Sequence, residues 1–222
     1  MNNEIDPRIL QELEAANVVR GRPLLVVDAD EVLVEFASHF KQFCEQAGYL
    51  FDLTEYSLDT AIRGQDGVPL TRDQIGPLIW GFIEGHTHEQ WEIPGAAAAL
   101  SGLADIAQIV VLTNAPSKMR AERVANLSAL GMDYPVIMNE GGKGRALRWL
   151  AERAAAPMAF VDDSVAQIGS AAKHAPGATL FHFVCPDILR KIVTPSGEAH
   201  HHPNGWAEAV PLIRRALTQV NA

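Results

Sequence analysis

The chain has 222 residues, and its 18 lysines and arginines against 27 aspartates and glutamates leave a formal net charge of −9. With no basic excess to neutralise phosphates, a nucleic-acid polymer and an anionic membrane surface are excluded as expected partners, whereas a small anion remains possible where a cation meets it. A hydrophobic share of 48% with 20% charged residues excludes disorder, and a chain of this length can bury a core without disulfides or a structural metal.

Cys44 and Cys185 are far apart and form no CxxC pattern, so neither a disulfide framework nor a zinc site is expected. The first residues are acidic rather than an apolar signal block, and no apolar run approaches the ~18 residues that span a bilayer. A cytoplasmic protein is the expectation.

In chain order, residues 6–16 read as a helix, with Asp6 as N-cap, Pro7 in the first turn and Ile9, Leu10 and Leu13 at helical spacing. Leu24-Leu25-Val26-Val27 is a short continuous apolar run, as a strand buried on both faces would show. Residues 35–94 break the pattern. Phe36, Phe40 and Phe43 share a helical face, and Thr71 to Gln74 form a capping box before Ile75, Leu78, Ile79, Phe82 and Ile83. No strand-like run occurs here, and the stretch is too long for a loop, so a small helical subdomain inserted after the first strand is expected.

Apolar runs return at 109–112, 135–138, 158–161 and 179–184, separated by helical patterns. Met119, Val124, Leu127 and Leu130 share a face that stops at Gly131, and Leu147, Leu150 and Ala151 stripe residues 143–154. Ser164 to Gln167 form another capping box, and a last helix near 204–219 contains Pro211. Strand–helix alternation of this kind predicts an α/β fold with a doubly wound parallel sheet.

The chemistry collects just after the runs. The first leads into Asp28-Ala29-Asp30, the second into Thr113-Asn114 and the fourth into Asp162-Asp163-Ser164, while Lys143 lies in Gly141-Gly142-Lys143-Gly144. Ligands of an open parallel sheet bind outside the carboxyl ends of its strands, so these residues should converge. Carboxylates crowded together raise one another's pKa unless a cation sits among them. Mg²⁺, a hard ion that takes carboxylates and substrate phosphate, suits that role.

These four stretches, in this order, resemble the haloacid dehalogenase-like (HAD) superfamily, mostly phosphatases with an aspartate nucleophile. Val26 to Val32 resembles its hhDxDx[TV] motif, Val111 to Asn114 its Thr/Ser motif, Lys143 its lysine and Phe160 to Asp163 its terminal acidic pair. The resemblance implies a core over 1–34 and 95–222 with a helical cap over 35–94. It implies Asp28 as nucleophile, Asp30 as general acid and base, and Thr113, Asn114 and Lys143 as phosphoryl-binding groups. Mg²⁺ would be held by Asp28, the Asp30 main-chain carbonyl, Asp162 and Asp163.

The implied activity is hydrolysis of a small phosphorylated metabolite through an aspartyl-phosphate. The alternatives are phosphoryl transfer, as in a phosphotransferase or phosphomutase, and a non-catalytic binding protein. Glu31 departs from the family, which usually has glycine there. Dehalogenation is disfavoured because the family's dehalogenases lack an acid at the Asp30 position.

Other polar clusters read as structural. His86 and His88 are expected in a polar cap loop, His200 to His202 in a solvated loop, and Trp80, Phe82 and Trp91 in the cap's own packing. Arg63 and Arg72 are candidates for meeting a second anionic group on the substrate.

Overall fold

Every residue of β1 (Leu24–Val27) is buried, because the strand lies in the middle of a sheet covered on both sides. The computed structural model describes residues 5–54, 60–185 and 187–218. Around β1 run β4 (Gln108–Thr113), β5 (Val136–Met138), β6 (Met158–Asp162) and β7 (Thr179–His182), all parallel, in the order β5-β4-β1-β6-β7. The chain fills one side of β1 and then crosses to the other, which makes the sheet doubly wound, as the alternation predicts.

Side chains alternate across the sheet. Leu25, Val27, Ile109 and Val111 pack on one face with Leu100 and Leu103 of α4 (Ala96–Leu103) and with Trp206 and Ile213 of α9 (Trp206–Thr218). Leu24, Val26, Val110 and Phe160 pack on the other with Leu13 of α1 (Pro7–Ala15), Leu147 and Leu150 of α6 (Gly144–Ala154) and Ile168 of α7 (Val165–His174). Asp6 caps α1 by accepting the Arg8 N–H, and after the one-turn α8 (Asp187–Arg190) the last helix, α9, continues through Pro211. No helix among the described residues is long and apolar enough to cross a membrane.

The segment after β1 holds α2 (Ala37–Gln46) and α3 (Arg72–His86), joined by an antiparallel pair of two-residue strands, β2 (Leu50–Phe51) and β3 (Ile62–Arg63). The sequence shows no strand-like run here because each strand is too short to establish alternation. Phe40, Cys44, Phe51, Ile62, Ile75 and Phe82 form an apolar cluster of their own. The chain leaves and returns along paired paths: Glu35 N–H donates to the Trp91 carbonyl (2.9 Å) and Ile93 N–H to that of Leu33 (2.8 Å).

Two sequence expectations change on this side of the core. Helix α5 (Arg120–Ala129) buries Leu127 as its spacing predicts, but it also buries Arg123 and Asn126 and leaves Val124 37% exposed. The histidine run exposes His200 and His202, as a solvated loop would, but it is also tied to the sheet: His201 bridges in parallel to Phe181, His200 Nδ1 accepts the Leu180 N–H (3.0 Å), and His202 Nε2 lies 2.9 Å from the Ser196 carbonyl. The run therefore covers the outer edge of β7, where unpaired backbone would otherwise be exposed.

Candidate active site

Val27 pairs with Val111 of β4 and Val161 of β6, so the residues that follow meet at one end of the sheet. Asp28 leaves the end of β1, and Thr113 and Asp162 end β4 and β6. Lys143 directly precedes α6. Its Nζ stands 2.8 Å from Asp28 Oδ1 and 2.6 Å from Asp162 Oδ2, an ion triad with almost no exposure. Asp28 Oδ1 also accepts the Ala29 N–H at 2.7 Å, which fixes the carboxylate's orientation.

Lys143 can be delivered this deeply because glycines flank it. A Cβ on Gly144 would lie 2.1 Å from the Ser170 carbonyl oxygen, and one on Gly142 would lie 2.6 Å from Ser170 Oγ. The loop therefore presses against α7, where Gln167 Oε1 accepts the Lys143 N–H (2.8 Å). That bond replaces the capping-box role read for Gln167. Ser164 still caps α7 by position, with its own N–H donated to Asp162 Oδ1 (2.8 Å).

Electrostatics follow from burial. Removal from water pushes Asp28 up to about 7, Asp162 and Asp30 add to the rise, and Lys143 opposes it. For Lys143, burial pulls downward, but Asp162 and Asp28 together push its pKa above the ordinary lysine value. The ammonium stays charged.

Asp28, Asp162 and Asp163 each bring a carboxylate oxygen within 4.8 Å of the others, all buried. Three hard oxygen donors at this separation fit a Mg²⁺-like ion. The sequence reading brings Asp30 to the metal through its main-chain carbonyl, which leaves its side chain for another role: Oδ1 accepts from Arg123 Nη2 (2.6 Å), with Gln90 Nε2 at 3.5 Å. Arg123 is 3% exposed and also donates to Gln90 Oε1 (2.7 Å).

Arg123 and Gln90 are absent from the sequence reading. Val124 suits an apolar stripe better than its neighbour does, and nothing local marks a buried arginine. His182 is a third omission: its Nδ1 accepts the Ser196 N–H (3.2 Å), so Nε2 carries the hydrogen donated to the Asp163 carbonyl (2.8 Å). Burial holds this imidazole below its ordinary pKa, in keeping with that neutral form.

Glu31 has φ 62°, in the left-handed region that favours glycine. Its Oε1 accepts the Ala37 N–H at the start of α2 (2.5 Å), while Oε2 is buried without a partner. Burial pushes this carboxyl up to about 8.

A cavity of about 450 Å³ opens over the triad, lined by Asp28, Asp30, Glu31, Thr113, Asn114, Lys143 and Asp163 among others. Thr113 Oγ1 lies buried without a hydrogen-bond partner. Neither Arg63, which donates to the Gly67 carbonyl (3.3 Å), nor Arg72 lines the cavity. Trp80 and Trp91 lie outside it as well, half exposed, with Trp91 stacked on His39. His86 pairs with Glu89, and no second metal-competent cluster occurs among the described residues.

No family model and no curated protein matches the chain. Solved structures do. A HAD-family hydrolase from Deinococcus radiodurans R1, with bound phosphate and sodium, is 21% identical over 89% of this chain and 98% of its own, with a TM-score of 0.59. A haloacid dehalogenase-like protein of unknown function from Agrobacterium tumefaciens C58 aligns at a TM-score of 0.64 and 16% identity, over 90% and 100% of the two chains. An L-2-haloacid dehalogenase from Xanthobacter autotrophicus, with chloropropionic acid covalently bound, aligns at 0.52 and 13% identity over 86% and 98%. The layered sheet, its strand order and these alignments agree: the chain has the fold of the haloacid dehalogenase-like hydrolases.

Proposed function

We propose that the protein is a Mg²⁺-dependent phosphomonoester hydrolase with Asp28 as nucleophile. The observation that carries this reading is the buried Asp28–Lys143–Asp162 triad, with Asp163 beside it, beneath the unpartnered Thr113 hydroxyl. Ionisable groups perturbed by burial and by a specific charge partner, at the floor of a cavity, cluster at functional sites.

A divalent ion held by Asp28, Asp162 and Asp163, with the Asp30 main-chain carbonyl, would neutralise charge on a bound phosphoryl group. The chain's own residues do the rest. Asp28, with Oδ1 held by Ala29 N–H and Lys143, attacks phosphorus; an O–P bond to Asp28 forms as the ester O–P bond breaks. Asp30 serves as the proton donor to the departing oxygen, then takes a proton from the water that releases the aspartyl-phosphate. Thr113 Oγ1 and the main chain of Asn114, whose side chain is held by Gly141 and Asn139, bind phosphoryl oxygens, and Lys143 balances the charge that develops on them. Arg123 and Gln90 hold Asp30 in place. The insertion over 35–94, which carries α2 and α3, acts as a cap that puts Phe36, Leu53 and Ile83 on the cavity wall.

An acid at position 30 favours phosphoryl chemistry over dehalogenation. The test is turnover of p-nitrophenyl phosphate with Mg²⁺, set against EDTA and Asp28→Asn controls. Metal-dependent release of p-nitrophenol that Asp28→Asn abolishes supports the reading. Inertness toward this ester and a broad phosphate-ester panel overturns it in favour of a binding role.

A further inference from the structure

We propose that the substrate is a phosphomonoester of an apolar alcohol with no second anionic group; this rests on the phosphatase reading above. The first argument is the wall of the cavity. Away from the carboxylates it is made by Phe36, Leu53 and Ile83 from the inserted segment and by Pro116, Met119 and Leu189 from the core. At about 450 Å³ the space suits a small molecule.

The second argument is that four polar side chains on this wall are already committed within the protein, although Thr113 Oγ1 and Glu31 Oε2 are not. Thr87 Oγ1 donates to the Ile83 carbonyl (2.6 Å), and Gln90 is bonded to Arg123 (2.7 Å). Asn114 donates to the Gly141 carbonyl (2.7 Å) while its Oδ1 accepts from Asn139 (2.7 Å). Gln167 accepts from Lys143 N–H (2.8 Å) and donates to Gly141 (3.2 Å). A sugar ring placed here would give up its hydrogen bonds to water and find few in return, which is costly for every hydroxyl.

The third argument is charge. The cations lining the cavity among the described residues are Lys143 and Arg123, and both are engaged: Lys143 with Asp28 and Asp162, Arg123 with Asp30. Residues 55–59, outside the described set, read Glu-Tyr-Ser-Leu-Asp and contain no cation. Asp28, Asp30 and Asp163 also line the space, so a carboxylate or second phosphate on the leaving group would meet carboxylates and no uncommitted cation among the described lining residues.

The experiment is a homologous series of n-alkyl phosphates, ethyl to hexyl, assayed with Mg²⁺ beside glucose 6-phosphate and phosphoglycolate. The expected result is a rise in kcat/KM of about fourfold per methylene, leaving both polar esters roughly 100-fold or more behind hexyl phosphate. Ile83→Asn, at a half-buried helix position, should flatten the rise; Leu53→Asn is the second variant if the first does not fold. A flat series in the wild type, or faster turnover of either polar ester, overturns the proposal. If every ester is inert, the phosphatase reading has failed, and calorimetry with ethyl- to hexylphosphonate decides the pocket separately. Affinity rising with chain length sustains it, and constant affinity overturns it.

Discussion

Arg123 Nη2 lies 2.6 Å from Asp30 Oδ1, so a buried guanidinium on a core helix and the second aspartate of the nucleophile loop form one unit. Gln90, where the chain returns from the insertion, completes it by accepting from Arg123 Nη1. Asp30 is thus positioned by residues far from it in sequence. Replacing Arg123 by methionine should lower kcat on p-nitrophenyl phosphate by about 10-fold or more, with a smaller change in KM. The thermal midpoint should fall too. Breaking a buried pair costs about 3–5 kcal/mol, and the 28% exposure of the Asp30 side chain reduces this to about 1–3 kcal/mol. Steady-state kinetics and thermal melting check both effects.

Asp28→Asn should lower turnover by at least about 10³-fold, since a neutral amide cannot serve as the nucleophile. Lys143 keeps Asp162 at 2.6 Å, so the fold should survive with little change in melting temperature. A variant retaining more than a few per cent of wild-type kcat would remove Asp28 from the nucleophile role.

The two glycines beside Lys143 should differ in tolerance. Gly144→Ala drives a methyl group to 2.1 Å from a main-chain oxygen, which cannot step aside without moving α7. A loss of about 2 kcal/mol or more is expected, together with most of the activity. Gly142→Ala meets only the Ser170 hydroxyl, so its smaller penalty should be relieved by Ser170→Ala. Chemical denaturation of the single and double variants separates the two cases.

Glu31 sets a pH dependence of stability. Its folded-state pKa of about 8 stands above the unfolded value of 4.5, so between those limits the folded protein binds the extra proton. Stability from this group is complete below pH 4.5 and is lost as pH rises through 8. Glu31→Gln keeps an acceptor for the Ala37 N–H and cannot ionise. It should flatten the fall in melting temperature between pH 5 and pH 8, at a difference of a few kcal/mol on the scale of about 1.4 kcal/mol per unit. Melting curves across this range decide it.

Much of the sheet and its acidic edge could be read from the chain because each depends on local pattern. The apolar runs at 24–27, 109–112, 135–138 and 158–161 overlap β1, β4, β5 and β6, and the polar residues after them meet because parallel strands share a carboxyl end. What escaped reading depends on distant partners. Arg123 is buried because Asp30 and Gln90 await it, and His182 is tied to Asp163 by a loop that folds back from Ser196. Gln167 followed a local rule for helix starts until the Lys143 amide, 24 residues earlier, took its side chain. Propensity sees neighbours in sequence, and these contacts join neighbours in space.

The bonds from Glu35 to Trp91 and from Ile93 to Leu33 draw the segment between them into a narrow neck. Closing a loop costs little more as it lengthens, and here backbone pairing at the base already offsets that cost. What hangs beyond the neck can change in size and shape while Asp28, Thr113, Lys143 and Asp162 stay where the sheet puts them. On the proposed phosphatase reading, selectivity is therefore a transplantable property: a foreign insertion spliced between Glu35 and Gln90 would redraw the wall facing the leaving group and leave Gln90 on Arg123.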